Sequence, residues 1–470
     1  MITKTAILLL IAIIRGETLN VPSDYSTIQN AINFSSENDT ILIAPGIYYE
    51  NLTIDDKNIN FLSSNSSEAT IIDGSSEYNP VFIFNNISEP FELNGLTIQN
   101  GTGLIINGAS YGGGILSNNS NISMNNMIIE NNFAFAGGGI CFYATQNSNT
   151  SPTINNTQIK NNLASEGGGI FCVNHPLTIF NTDITRNGMD LFGSGGGIQA
   201  LLSEISIQNS KINLNETKFG GGIYISNSNS DISNTLIENN YSDSKGGGIW
   251  VGGNTNLEIV KSIISDNYSS GFGGGIFNSL SNTTITNSNI VKNTVSSNVS
   301  GAGIYIDGGN SIINNSIIYF NYNDNTFNNP NYNIDGYSSN NFHEYNITYS
   351  NIQGSDDWIP NGLGIISQDP LFTDLENNIY TLTSQSPCID AGDPLIIDND
   401  NTVSDIGAYP YNQNQNIGDI NNDGIVNISD IVILVNIIIS QEYSLMGDLN
   451  YDNTNNIQDI VILINIILSS

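Results

Sequence analysis

The sequence predicts an all-β body, a parallel β-helix solenoid with coils of about 27 residues, followed by a small α-helical module with two EF-hand-type calcium loops. Three observations predict it. A Gly-Gly-Gly-Ile motif recurs eight times between Gly112 and Gly301, the last copy reading Gly-Ala-Gly-Ile. A second motif, x-x-Ile-x-x-Asn, runs in phase with it. Beyond residue 417, a twelve-residue loop rich in Asp and Asn occurs twice.

The glycine motif starts at Gly112, Gly137, Gly167, Gly195, Gly220, Gly246, Gly273 and Gly301, at intervals of 25 to 30 residues. Glycine triplets and β-branched runs oppose helices, which excludes helical repeats. The apolar pattern has period two, so each repeat holds short strands, expected to number three, and is too small to fold without its neighbours. The residue three places after the first glycine is always Ile: Ile115, Ile140, Ile170, Ile198, Ile223, Ile249, Ile276 and Ile304. That column faces inward. The column two places on (Phe142, Cys172, Ala200, Ile225, Val251, Ile306) is mostly compatible with the interior.

The column between them must then point outward. It reads Leu116, Cys141, Phe171, Gln199, Tyr224, Trp250, Phe277 and Tyr305. Aromatic rings about 5 Å apart on a solvent face could stack on sugar rings. They could equally be a structural ladder across the sheet. Phe171, Tyr224, Trp250, Phe277 and Tyr305 are the candidate ligand-binding residues. The terminal Asn of the second motif (Asn132, Asn162, Asn187, Asn215, Asn240, Asn267, Asn293, Asn321) stands where the coil turns, a place for a residue that tolerates left-handed backbone and can form a stacked hydrogen-bonded ladder.

The chain of 470 residues carries a net charge of −34 with only ten Lys and Arg. That disfavours nucleic-acid and anionic-membrane binding, which need cations. A basic start and the apolar run Ala6 to Ile14 are signal-peptide features, assigned to residues 1–18 and predicting export. The three cysteines, Cys141, Cys172 and Cys388, do not make a disulfide framework; Cys141 and Cys172 fall on opposite strand faces and read as buried thiols.

The body spans 19–411. At its start, Ser26 is expected to cap a short helix from Thr27 to about Phe34, with Ile28, Ala31 and Ile32 on the first coil. At its end, beyond Asn321, the glycine motif is lost and an irregular cap follows. "PSDYSTIQNAIN", "DTILIAPGIYYEN", the Gly-rich coils and the closing "SQDPLFTD", "SPCIDAGDP" and "DIGAYPY" together resemble secreted right-handed parallel β-helix proteins of the pectin-lyase-like fold, over residues 20–411. The Gly-Gly-Gly-Ile and Asn pairing is also similar to the repeats of chlamydial polymorphic outer-membrane proteins. The resemblance implies a fold more than an activity. Lyases and pectin hydrolases of this fold use Arg or Lys beside carboxylates, whereas after Arg15 this chain has one Arg, Arg186. "GIYYEN" is like the opening of pectin methylesterases, whose catalytic Asp motifs are missing. A carboxylate-only site stays open, with Asp356, Asp357, Asp390, Asp393 and Asp405 as the residues to inspect, each more readily a turn or cap residue.

A linker at 412–416 leads to the module, 417–470. "DINNDGIVNISD" offers Asp419, Asn421, Asp423, Ile425 (through its carbonyl), Asn427 and Asp430 at the liganding places of a calcium loop, with Gly424 at the sharp turn. "DLNYDNTNNIQD", 29 residues on, offers Asp448, Asn450, Asp452, Thr454, Asn456 and Asp459; Asn453 stands for the glycine and Asn455 for the apolar residue, so this Ca²⁺ site is expected to be the weaker. Each loop runs into an apolar stretch read as a helix. Two such loops, each leading into one helix, resemble a type I dockerin. The resemblance implies docking on a cohesin module, with Ile428 and Ser429, then Ile457 and Gln458, at the places that help choose the partner.

The expectation is an exported protein that meets carbohydrate or another extracellular ligand through its β-helix and is attached through a calcium-dependent module, in polysaccharide breakdown. The alternatives are a polysaccharide lyase or O-glycosyl hydrolase carried by the dockerin, and a structural surface adhesin.

Overall fold

The computed structural model describes residues 16–469, apart from 147, 189–191, 297–298, 325–332, 337–342, 355–361, 414–417, 422, 424, 441–442 and 451–453. The apolar leader therefore lies outside the described residues. The first strand, Thr18–Val21, begins at the last residue assigned to it.

The coil that starts at Gly220 shows the plan. Its first strand is Ile223–Ser226, its second Asn229–Ser233, its third Leu236–Glu238 and its fourth Tyr241–Lys245. The coils at Gly195, Gly220 and Gly246 carry four such strands, because the longest side bends and a short strand precedes the next Gly corner, whereas those at Gly112, Gly137, Gly167, Gly273 and Gly301 carry the three expected. Every strand pairs in parallel with its equivalents one coil away; Ile223 lies between Ile198 and Ile249. First and second strands belong to one 22-stranded sheet, since near the end they fuse into single strands, Ile276–Thr286 and Ile304–Asn314. Third strands build a 12-stranded sheet and fourth strands a 5-stranded one, among the described residues. Twelve stacked strands extend about 53 Å at about 4.8 Å per step.

The eight motif isoleucines are fully buried and run through one continuous core, together with Phe142, Cys172, Ala200, Ile225, Val251 and Ile306 two places on. The glycines make the corner. Gly220 has φ +65°, and a Cβ at Gly222 would stand 2.7 Å from the Gly248 carbonyl and 3.0 Å from the Asn240 amide nitrogen. The two repeat motifs therefore keep phase for a steric reason: the Asn side chain occupies the room that the glycine leaves.

The Asn ladder is present and buried. Asn240 Oδ1 accepts from both the backbone N–H and the Nδ2 of Asn215 at 3.0 Å, and Asn240 Nδ2 donates onward to Asn267 Oδ1 at 2.9 Å and to the Ile212 carbonyl. The left-handed conformation belongs to the residue before each ladder Asn (Asn131, Asn161, Arg186, Leu214, Asn239, Asp266, Lys292, Phe320), not to the Asn as expected. The turn supplies the bend, and the following amide points inward to satisfy the backbone there. Two further corners follow the same rule with hydroxyls: along Thr182, Ser210, Thr235, Ser262 and Ser288, and along Ser203, Ser228, Thr255 and Ser281, each backbone N–H donates to the hydroxyl of the next in line.

At the N-terminal end, α1 (Ile28–Phe34) buries Ile28, Ala31 and Ile32 as expected. Its cap is Thr27 rather than Ser26: the Thr27 hydroxyl accepts from Asn30 N–H, and the Glu50 carboxylate takes the Ile28 and Gln29 N–H groups at 2.8 and 2.9 Å. That carboxylate lies at the positive end of the helix. Lys57 reaches the other end, donating to the Ser35 carbonyl.

Residues 371–411 do more than close the end. Phe372, Tyr380, Leu382, Cys388, Ile406 and Ala408 pack on Ile263, Val291 and Ile317, which are third-strand residues of three successive coils. The segment lies along the flank of the solenoid. No helix of the described residues is long and apolar enough to cross a membrane.

Candidate functional site: an open polar groove and a two-loop acidic module

The aromatic column does not form the solvent face expected of it. Phe277 is 1 % exposed and Phe171 and Tyr305 8 %, while Tyr224 and Trp250 are half-buried. Tyr224 and Trp250 stack with centroids 4.1 Å apart and planes within 2°, and Phe277 and Tyr305 stack at 5.6 Å and 4°. The approach to the Gly corner covers the column from outside, with Lys245 Nζ 4.5 Å above the Phe277 ring and Phe272 against Tyr305. Toward the N-terminus, Leu116, Cys141 and Phe171 form a second small core beneath the hairpin Leu104–Ile106 and Ala109–Tyr111. Stacking a sugar needs a free ring face; stacked rings cover Trp250 and Phe277, Phe171 lies in the outer cluster, and of the column only Tyr224 and Trp250 stay half-exposed, an arrangement that favours the structural ladder.

The open surface is the outward face of the second strands, beside the corner they make with the first. Two adjoining clefts of about 560 and 670 Å³ lie there. They share Pro176, Glu204 and Asn229, so they form one groove. Strand register builds it from two columns. One is Glu204, Asn229, Asn256 and Asn282; the other is Thr178, Ser206, Asp231, Glu258 and Thr284. Asn256 Nδ2 donates to Asn229 Oδ1 at 2.7 Å and Asn282 Nδ2 to Asn256 Oδ1 at 2.8 Å, which fixes a row of amides at strand spacing. Ser206 Oγ donates to Asp231 at 2.8 Å. At one end His175 is fully buried, its Nε2 3.2 Å from the Thr150 hydroxyl, and burial pushes its pKa down to about 4. It stays neutral at physiological pH.

Among the described residues no Lys or Arg lines the groove. Three of the lysines are paired away from it: Lys211 with Glu238, Lys292 with Asp266 and Lys160 with Glu130. Arg186 sits at an exposed corner with φ +55°. The groove residues were not singled out from the sequence. Their columns slip by one place relative to the glycines (Gly220 to Asn229 is nine residues, Gly246 to Asn256 is ten), because Gly253 and Asn254 lengthen one corner.

Of the carboxylates raised from the sequence, Asp390 and Asp405 lie within electrostatic reach of each other, beside Asp398 in the cap. Asp405 accepts from the Asp390 and Tyr411 N–H groups, Asp393 from Leu395 N–H, and Asp390 from the Gln413 amide, so all three hold cap loops. Burial pushes Asp405 up to about 6. Asp356 and Asp357 lie outside the described residues. The three cysteines are free and buried, with Cys141 in the outer cluster and Cys172 in the main core.

In the C-terminal module the two loops fold alike. Asp430 Oδ1 accepts from the Ile420 and Asn421 N–H groups and its Oδ2 from Asn427 N–H; Asp459 does the same with Leu449, Asn450 and Asn456. Asp423 Oδ1 accepts from Ile425 N–H, and Tyr443 donates to Asp448. Asp430 and Asp459 are fully buried, and Asp419 and Asp448 nearly so. Residues 417–470 contain seven Asp and Glu and no Lys, Arg or His. Among the described residues no three Asp, Glu, His or Cys side chains converge as a metal cluster. The loops' other donors are Asn421, Asn427, Asn450, Thr454, Asn456 and the Ile425 carbonyl, and Asp452 lies outside the described residues. Buried carboxylates without a basic residue in the module, in loops with oxygen donors at calcium spacing, fit a hard divalent cation. Helices α2 (Ile428–Ser440) and α3 (Ile457–Ser469) follow and pack together. Ile428 and Ile457 are 72 and 73 % exposed, and Ser429 and Gln458 beside them are exposed too. Val432 and Ile439 continue the stripe on α2, and Val461, Ile464 and Leu468 continue it on α3.

No family model matches the chain, and no curated protein does. Among solved structures it is similar to the pectate lyase Pel9A (15 % identity, TM-score 0.44, 85 % of this chain and 96 % of that one). It is also similar to the A-module of the Azotobacter vinelandii mannuronan C-5 epimerase AlgE6 (13 %, 0.35, 73 % and 93 %) and to the carrot pectin methylesterase (12 %, 0.30, 72 % and 89 %).

Proposed function

We propose that the β-helix binds a polysaccharide along the groove of the second strands, and that the C-terminal module, holding two calcium ions, attaches the exported chain to a cohesin-like partner. The groove carries the reading: it is long, open and lined by amides, hydroxyls and carboxylates in fixed rows, the groups that exchange hydrogen bonds with sugar hydroxyls. When bound, calcium would neutralise the loop carboxylates and brace the loops. Asp419, Asn421, Asp423, Ile425, Asn427 and Asp430 would hold one ion, and Asp448, Asn450, Asp452, Thr454, Asn456 and Asp459 the other. Ile428 and Ile457, with Ser429 and Gln458, would then meet the partner.

Affinity electrophoresis of the whole chain through a panel of soluble polysaccharides tests the groove. Retention by at least one glycan is expected, weakened about tenfold by Asn229→Ala with Asn256→Ala. Retention by none would overturn the reading. Docking is tested with a set of cohesin modules: calcium-dependent binding is expected, and Ile428→Asp with Ile457→Asp should abolish it.

A second reading, hydrolysis in the groove, is favoured by one observation. Asp231 and Glu258 are register partners on adjacent strands, a backbone spacing of about 4.8 Å, and retaining glycosidases place two carboxyls about 5 to 5.5 Å apart. Release of reducing ends from a bound glycan, lost in Glu258→Gln, would establish it.

A further inference from the structure

We infer that the groove selects polysaccharides without acidic groups and rejects polyuronates; this rests on reading the groove as a glycan site. Three observations carry it. Glu204, Asp231 and Glu258 line the groove, and Asp231 and Glu258 are register partners one strand apart. Among the described residues none of the three carboxylates forms an ion pair, and no Lys or Arg lines either cleft. Of the neighbouring cations, Lys211 lies 2.8 Å from Glu238 on the third-strand side, Lys245 caps the Phe277 ring, and Lys261 stands at the exposed corner beyond Val260, where its charge acts on Asp398 rather than lining the groove.

Like charges in register on adjacent strands destabilise a sheet. Asp231 and Glu258 therefore oppose folding slightly and make the groove a one-signed field. Within a Debye length of about 8 Å that field repels a second row of carboxylates. A uronate polymer in the groove would bring its negative charges against the Asp231–Glu258 column with no guanidinium or ammonium to receive them. A neutral sugar hydroxyl, by contrast, donates well to a carboxylate. The Asn229, Asn256 and Asn282 amides provide the complementary donors and acceptors. The site is thus built for hydroxyl-rich, non-acidic glycans.

The test compares binding of the intact protein to mixed-linkage β-glucan and galactomannan with binding to polygalacturonate and alginate, with calcium and with chelator. The triple variant Glu204→Gln, Asp231→Asn, Glu258→Gln and a cation-adding variant, Thr284→Lys, are run beside it. Both alter solvent-facing groove positions, and a thermal melt checks that they fold. Expected is binding of an uncharged glycan at least about tenfold tighter than of either polyuronate, with that ratio falling in both variants. A polyuronate bound as tightly as the best uncharged glycan, in either calcium condition, would overturn the selectivity while leaving the groove a glycan site. An unchanged ratio in both variants would also overturn it. Binding of no glycan at all would remove the groove reading and this inference with it.

Discussion

The β-helix and the C-terminal module both bury polar side chains, and they satisfy them in different currencies. Along the helix, Asn215, Asn240 and Asn267 are neutral amides that donate to and accept from one another, so each coil completes the next. In the module, Asp430 and Asp459 are buried acids whose oxygens accept loop N–H groups in a segment with no basic residue. An amide ladder is complete within the chain. A pair of acidic loops invites an ion from outside it. One region should therefore depend on neighbours and the other on a solute.

Calcium removal separates the two most sharply. Chelation is expected to cost the module its helical circular-dichroism signal, several kcal/mol of ion-linked folding energy, while the β-sheet signal and its melt stay in place. Simultaneous loss of both signals would break the comparison. The ladder is tested next by Asn240→Ala, which strands the Asn215 N–H and amide and the Ile212 carbonyl. A loss of about 3 kcal/mol is expected in denaturant unfolding of the β-helix, with calcium affinity unchanged. Trp250→Ala removes a ring between Tyr224 and Phe277. It should cost about 2 kcal/mol and leave glycan binding intact, whereas weakened binding with an unchanged melt would restore the column as a ligand surface. The smallest effect is on pH. Burial raises the Asp405 pKa to about 6, so the folded cap binds a proton that the unfolded chain has released. Cap stability should fall by about 1 kcal/mol as pH rises from about 4 to 6. Asp405→Asn should flatten that dependence in a pH series of melts.

Much of this was legible in residues 112–321. The fixed Ile column, the glycines and the Asn motif each have a local cause: alternation, a left-handed corner, and an amide that must meet its copy. The bend that divides the long sheet was not legible, because its left-handed residues vary (Asn174, Leu202, Asn227, Asn254) and carry no motif. Nor was the groove, whose columns shift by a residue at Gly253.

The sequence by itself determined the period, the inward face, the corners and the two acidic loops, since each depends only on residues adjacent in the chain or one coil away. Tertiary structure alone decided which outward face meets water. Alternation says that Trp250 and Asp231 both point away from the core. Only the fourth strand's approach to the Gly corner, with Lys245 and Phe272, covers the first column and leaves the second open.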